Sequence, residues 1–93
     1  MDAEVTRRAA ATAERIQQEA RRRAERMSLV MGQLAETLEK SAALADEHAL
    51  TRERSGGEGA LEERHVAARA REGARRARQY AEQWREVGDR GQA

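Results

Sequence analysis

Cysteine, proline and phenylalanine are absent from this chain of 93 residues, and aromatic residues make up only 2% of it, namely Tyr80 and Trp84. Without cysteine there are no disulfides, no thiolate metal ligands and no thiol nucleophile. The scarcity of aromatics, with charged residues at 38%, argues against a sheet-based fold and suits long solvated helices. No apolar run approaches the roughly 20 residues that a membrane-spanning helix needs, and Met1-Asp2-Ala3-Glu4 lacks the basic-then-apolar plan of a secretory leader. The expected location is therefore cytoplasmic. Charge of one sign is lacking too: 18 basic against 17 acidic residues give a formal charge of +1, with no global pull toward nucleic acid or membrane.

What is present is periodicity. Val66, Ala70, Gly73, Ala77, Tyr80, Trp84 and Val87 alternate in steps of four and three, the spacing of a coiled-coil seam. Val5, Ala9, Ala13, Ile16, Ala20, Ala24, Met27, Met31, Leu34, Leu38, Ala42, Ala45 and Ala49 repeat with a similar period. Between the two stretches lies the one strong breaker cluster before the C-terminus, Ser55-Gly56-Gly57-Glu58-Gly59. Its flanks fit a helix junction. Arg52 and Arg54 suit a helix C-terminus, and Glu58, Glu62 and Glu63 suit an N-terminus. Ser55 and Glu58 have the spacing of a capping box, and Gly88 and Gly91 would end the second helix.

The expected fold is all-α: one domain over residues 1–93, an antiparallel helical hairpin with a long helix over about 2–54, a turn at 55–59 and a helix over about 60–87. It is coiled-coil-like and expected to associate into a four-helix bundle. Folding about Gly57 sets residues whose numbers sum to about 114 opposite each other. Trp84 then falls near Val30 and Gly32, and Val66, Ala70, Gly73, Ala77, Tyr80, Trp84 and Val87 form the intrachain seam. Gly32 reads as the place where the indole gains close approach. The second helix is too short to cover the first, so residues 1–26 are expected to project as an N-terminal arm. Val5, Ala9, Ala13 and Ile16 on that arm, with Met27, Val30, Met31, Leu34 and Leu38, make more apolar surface than one partner helix covers. They are the expected interface with a second copy or another protein, most simply in a homodimer.

Candidate chemistry is sparse. Gly56-Gly57-Glu58-Gly59 lacks the Lys-Ser/Thr and the preceding strand of a phosphate-binding loop. Adjacent carboxylates such as Glu62 and Glu63 diverge by about 100° on a helix and cannot share a substrate. His48 and His65 would face each other near the hairpin tip, with Asp46, Glu47, Glu62 and Glu63 close by, and could be weighed as a metal or pH-sensing pair. Two histidines in a chain of this length meet readily by chance, so no metal, cofactor or catalytic residue is assigned. The chain reads as non-enzymatic.

Local charge leaves a second reading open. The stretch 64–90 holds eight Arg against four acids, and Arg21, Arg22, Arg23 and Arg26 form a dense basic run. Around the open end of the hairpin these would attract phosphate, although Glu14, Glu19 and Glu25 interleave with the run. The leading expectation is a protein–protein interaction or assembly module, an adaptor, small regulator or structural component, acting through helical surfaces and self-association. The alternatives are a small nucleic-acid-associated protein or a small exported protein. In size and hairpin plan the chain resembles the small secreted helical-hairpin proteins of actinobacterial export systems. Their turn carries Trp-x-Gly where this one reads Ser55-Gly56-Gly57.

Overall fold

A computed structural model describes residues 2–90; Gly91, read above as a helix end, lies outside them. Among the described residues there are two helices and no strand: α1 spans Asp2–Arg54 and α2 spans Ala60–Arg90. With 53 and 31 residues, they have lengths of about 80 and about 46 Å. Packed side by side they give a rod of 82 × 14 × 13 Å. Both obey the helix dipole, with Asp2 and Glu4 opening α1, Arg52 and Arg54 closing it, and Glu62 and Glu63 opening α2.

The junction is built differently from the capping box read in the sequence. The Gly57 amide donates to the Arg52 carbonyl at 2.7 Å and the Gly56 amide to that of Glu53 at 3.4 Å, while Gly56 has φ +117°. These are the two bonds of a Schellman ending, which needs a left-handed residue just past the helix and so favours glycine there. Ser55 closes α1 rather than opening α2, its Oγ donating to the Thr51 carbonyl at 3.1 Å. Gly59 also has a positive φ, and the Arg52 side chain folds over it: an added Cβ would lie 2.9 Å from the guanidinium.

The hairpin core is made of alanine. Among the described residues, the nine buried hydrophobic ones are all Ala: 24, 35, 42, 45 and 49 on α1, and 60, 67, 74 and 77 on α2. Ala35 clusters with Ala74 and Ala77, and Ala42 and Ala45 cluster with Ala67, with Leu38 and Ala70 packed at the edges. Methyl groups on both sides let two helices approach closely, because interaxial distance follows side-chain size at the contact. The Ser28 hydroxyl accordingly spans the gap and donates to the Ala81 carbonyl of α2 at 2.8 Å. Farther along, Gly88 is buried inside α2 rather than ending it, and a Cβ there would sit 3.6 Å from that of Ala24.

One of the two inner lines of α2 therefore lies one residue later than its counterpart in the seam read from the sequence, while Ala70 and Ala77 stay on the inner side. Ala60, Ala67, Ala74 and Gly88 are buried at seven-residue steps, and Ala81 is half-buried. Of the residues expected in the seam, Ala77 is buried and Ala70 and Gly73 are half-buried, whereas Val66, Tyr80, Trp84 and Val87 remain exposed. The physical reason is size. Bulky side chains on the inner line would hold the backbones apart and forfeit the methyl-to-methyl contacts along the rest of the hairpin. Contact with α2 reaches back to buried Ala24 and half-buried Arg21, so the stretch exposed throughout is 2–20, shorter than the arm expected over 1–26.

A candidate protein-interaction face

The two sides of this alanine seam differ sharply. On one side α2 presents Arg64, Arg71, Arg78 and Arg85 at seven-residue steps. Facing them, α1 presents Glu39, Asp46 and Glu53 at the same spacing. Arg64 Nε donates to Glu53 at 2.8 Å, Arg71 bonds Asp46, and Arg78 Nε donates to Glu39 at 2.7 Å. Each exposed pair contributes about 0.2–1 kcal/mol. Their larger effect is to fix antiparallel register, as charged positions flanking a seam do. The sequence signal for this ladder is a seven-residue step in both charge series.

The next rung of the ladder holds no carboxylate, because Gly32 stands there. A Cβ added to Gly32 meets nothing within 4 Å. Gly32 lines a shallow cleft with Ser28, Leu29, Arg78 and Arg85, and Arg85 turns along its own helix to Glu82 at 2.6 Å. The close approach of Trp84 to Gly32 expected from the sequence is therefore not what the glycine provides. Trp84 belongs to the opposite side.

Toward the open end of the hairpin, that opposite side is largely apolar. Met27 and Val30 of α1 with Trp84 and Val87 of α2 line an open groove of ≈ 680 Å³, which Ala20, Arg23 and Arg26 also line. Leu34, seven residues after Met27, and Tyr80, seven before Val87, extend the two walls by one heptad. Met27 is half-buried, and the others remain partly open to solvent: Val30 is 50% exposed, Leu34 44%, Tyr80 51%, Trp84 37% and Val87 47%. Val5 and Ile16 on the arm are exposed as well, as are Ala9 and Ala13. Of the interface residues expected from the sequence, Met27, Met31 and Leu38 are the exceptions; all three are half-buried, Leu38 packing against the Ala35, Ala74 and Ala77 cluster.

Both histidines are exposed. His48 Nδ1 lies 3.9 Å from Glu63, which also takes Arg52 Nε at 3.6 Å, and His65 is exposed on the outer side of α2. Among the described residues, no group of three or more His, Asp or Glu is placed to hold a metal ion, and no polar or charged residue is buried. One carboxyl is displaced from its ordinary behaviour. Hydrogen bonding and charge from Arg75, with a smaller contribution from Arg76, hold Glu72 below the usual carboxylate range. This is the local electrostatics of a solvated helix face. No helix among the described residues is long and apolar enough to cross a membrane. No protein-family model, curated protein or solved structure matches the chain.

Proposed function

We propose that this chain is a non-catalytic protein–protein interaction module that works by presenting its apolar helical face to another helical surface, in the first place that of a second copy. The observation that supports this is an inversion of the usual arrangement. Among the described residues the hairpin buries only alanines and Gly88, while its aromatic residues and several of its largest aliphatic ones stand in line on one outer face. Burying a methyl group is worth roughly 0.8 kcal/mol, against about 1.5–3 kcal/mol for a whole Val, Leu or Phe side chain. Much of the hydrophobic stabilisation encoded in this sequence is thus unrealised in a lone hairpin and available to a partner. Apolar patches rimmed by polar residues are where proteins associate.

The phosphate-binding alternative has less support. Arg64, Arg71 and Arg78 are engaged by acids of α1, and Arg75 and Arg85 by acids of α2. Much of the basic excess of α2 is therefore neutralised within the hairpin.

The test is the solution mass of the full chain. Light scattering at micromolar concentration should return a multiple of the 10.4 kDa monomer mass. Val30→Glu together with Leu34→Glu should reduce it to the monomer, since charge placed in an apolar contact is costly. Because both positions are exposed in the hairpin, helicity by circular dichroism should survive. A wild-type mass of 10.4 kDa across that range, or an assembly indifferent to both glutamates, would overturn the reading.

A further inference from the structure

The arm carries an apolar line that the hairpin seam does not explain. Continued backwards from Arg21 and Ala24, the two inner lines of α1 reach Glu14 and Arg7 on one side and Gln17, Ala10 and Ala3 on the other. A helix extending α2 would therefore meet a largely polar surface. The arm's apolar residues, Ala9, Ala13, Ile16 and Ala20, follow steps of four, three and four. They run directly into Met27, Val30 and Leu34, the α1 wall of the Trp84 groove. Arm and groove are one continuous face, so whatever covers the groove has the geometry to cover the arm.

Resting on the interaction reading above, we infer that the groove of each copy is occupied by the N-terminal arm of a second copy, docked antiparallel about a two-fold axis near Arg21 and Arg22. Side-chain size is the first argument. The arm line is mostly alanine and the groove walls are large, which is how facing layers interdigitate at native density. One antiparallel register stacks Ala9 on Leu34, Ala13 on Val30, Ile16 on Met27 and Ala20 on Arg23, each layer occurring twice by symmetry. Its overlap, from residue 9 to residue 34, is about 39 Å long. In that register Tyr80, Trp84 and Val87 form the second wall beside the docked arm, so each half of the dimer is a three-helix layer of α1, α2 and the visiting arm.

Charge gives a second and independent argument. The same register brings Glu19 of one copy beside Arg26 of the other on the flank of the contact, twice. A slip of one heptad would stack Ile16 on Leu34 and Ala20 on Val30, but would set Arg23 on Met27 and Arg26 against its own symmetry mate. Like charges face to face and an arginine over a methionine disfavour that alternative. Around the two-fold axis the Arg21-Arg22-Arg23 runs of the two copies do come together. Glu19, already paired with Arg23 at 2.9 Å, and Glu25 interleave with them and offset the repulsion.

The absence of native cysteine makes the register directly testable in the full chain. Ala13→Cys with Val30→Cys, both at exposed positions, should oxidise under mild conditions to a covalent dimer as the dominant species. An intrachain bond is impossible, because the two sites lie about 25 Å apart along one helix while a disulfide needs Cα atoms within about 7 Å. Ala20→Cys with Val30→Cys, the pair for the slipped register, should remain largely uncrosslinked. Separately, Glu19→Arg should weaken self-association about tenfold, and adding Arg26→Glu should restore it. Crosslinking of the second cysteine pair in preference to the first, equal crosslinking of both, or no rescue by the charge swap would overturn arm docking while a dimeric wild-type mass left the self-association reading intact. A monomeric wild-type mass would sink both.

Discussion

Replacing two glycines of this hairpin by alanine separates helix propensity from helix packing at two nearby places in one molecule. Gly32 lies in the interior of α1 with open space where its Cβ would be, nothing standing within 4 Å. Gly32→Ala therefore gains the intrinsic preference of alanine for helix, about 1 kcal/mol, with no steric opposition. In a domain of this size, about 1 kcal/mol raises the melting temperature by about 4–8 °C. Gly73 is also helical, but its added Cβ would lie 3.1 Å from Leu38 Cδ1, tighter than ordinary van der Waals contact. Leu38 must then give by a few tenths of an ångström, and it sits against the Ala35, Ala74 and Ala77 cluster. Gly73→Ala gains the same propensity and loses part of it to that contact, so its net effect falls well below that of Gly32→Ala. Gly73→Leu cannot be absorbed and costs about 1–3 kcal/mol by overpacking. Thermal unfolding followed by circular dichroism at one fixed protein concentration measures all three, since the proposed self-association would make the melting temperature depend on concentration. Because Gly32 lies on the charged side of the seam, light scattering should show the oligomeric state unchanged in Gly32→Ala. Equal stabilisation by the two alanines, or destabilisation by Gly32→Ala, would refute the assignment of Gly32 to open surface and Gly73 to the packed flank.

Two further outcomes follow from the same structure. Ala74→Leu places four-carbon bulk between helices held at alanine distance and should destabilise by about 1–3 kcal/mol in chemical denaturation, even though Leu is a good helix former; a neutral result would mean the helices are not closely apposed at Ala35. Glu72 should titrate below the ordinary carboxylate range by carbon-detected NMR, and Arg75→Ala should raise its pKa toward the ordinary value. Its folded pKa being the lower one, the stabilisation it contributes is present above the unfolded-state pKa and is lost as pH falls through the folded value. An unmoved titration in Arg75→Ala would show that Arg75 is not the cause.

The local rules were legible in the sequence wherever one residue type settles the matter. The break at 55–59 follows from a glycine cluster that no helix tolerates, and the two helices follow from long stretches of good helix formers without proline. The overhang of α1 follows from counting residues on either side of the turn. The cap at the junction was less legible, because Ser55 can serve either neighbouring helix, and the left-handed glycines after it decided for the end of α1.

Which face of each helix looks inward could not be read in the same way. In α2, two adjacent lines repeat every seven residues: Val66, Gly73, Tyr80 and Val87, and immediately beside them Ala60, Ala67, Ala74, Ala81 and Gly88. Periodicity is equal for both, and the usual preference for burying large side chains selects the first. The tertiary structure buries the second, because two long helices gain more from close backbone approach along their whole shared length than from a few large side chains wedged between them. The same choice moved Trp84 to the outer groove and left Gly32 in the open. The sequence by itself determined two helices, their hand-over at Gly56 and Gly57 and an unpartnered arm; packing alone decided that alanine fills the inside and that the bulk faces outward, since a difference of one residue along a helix turns a side chain by about 100° and is resolved only when the second helix arrives.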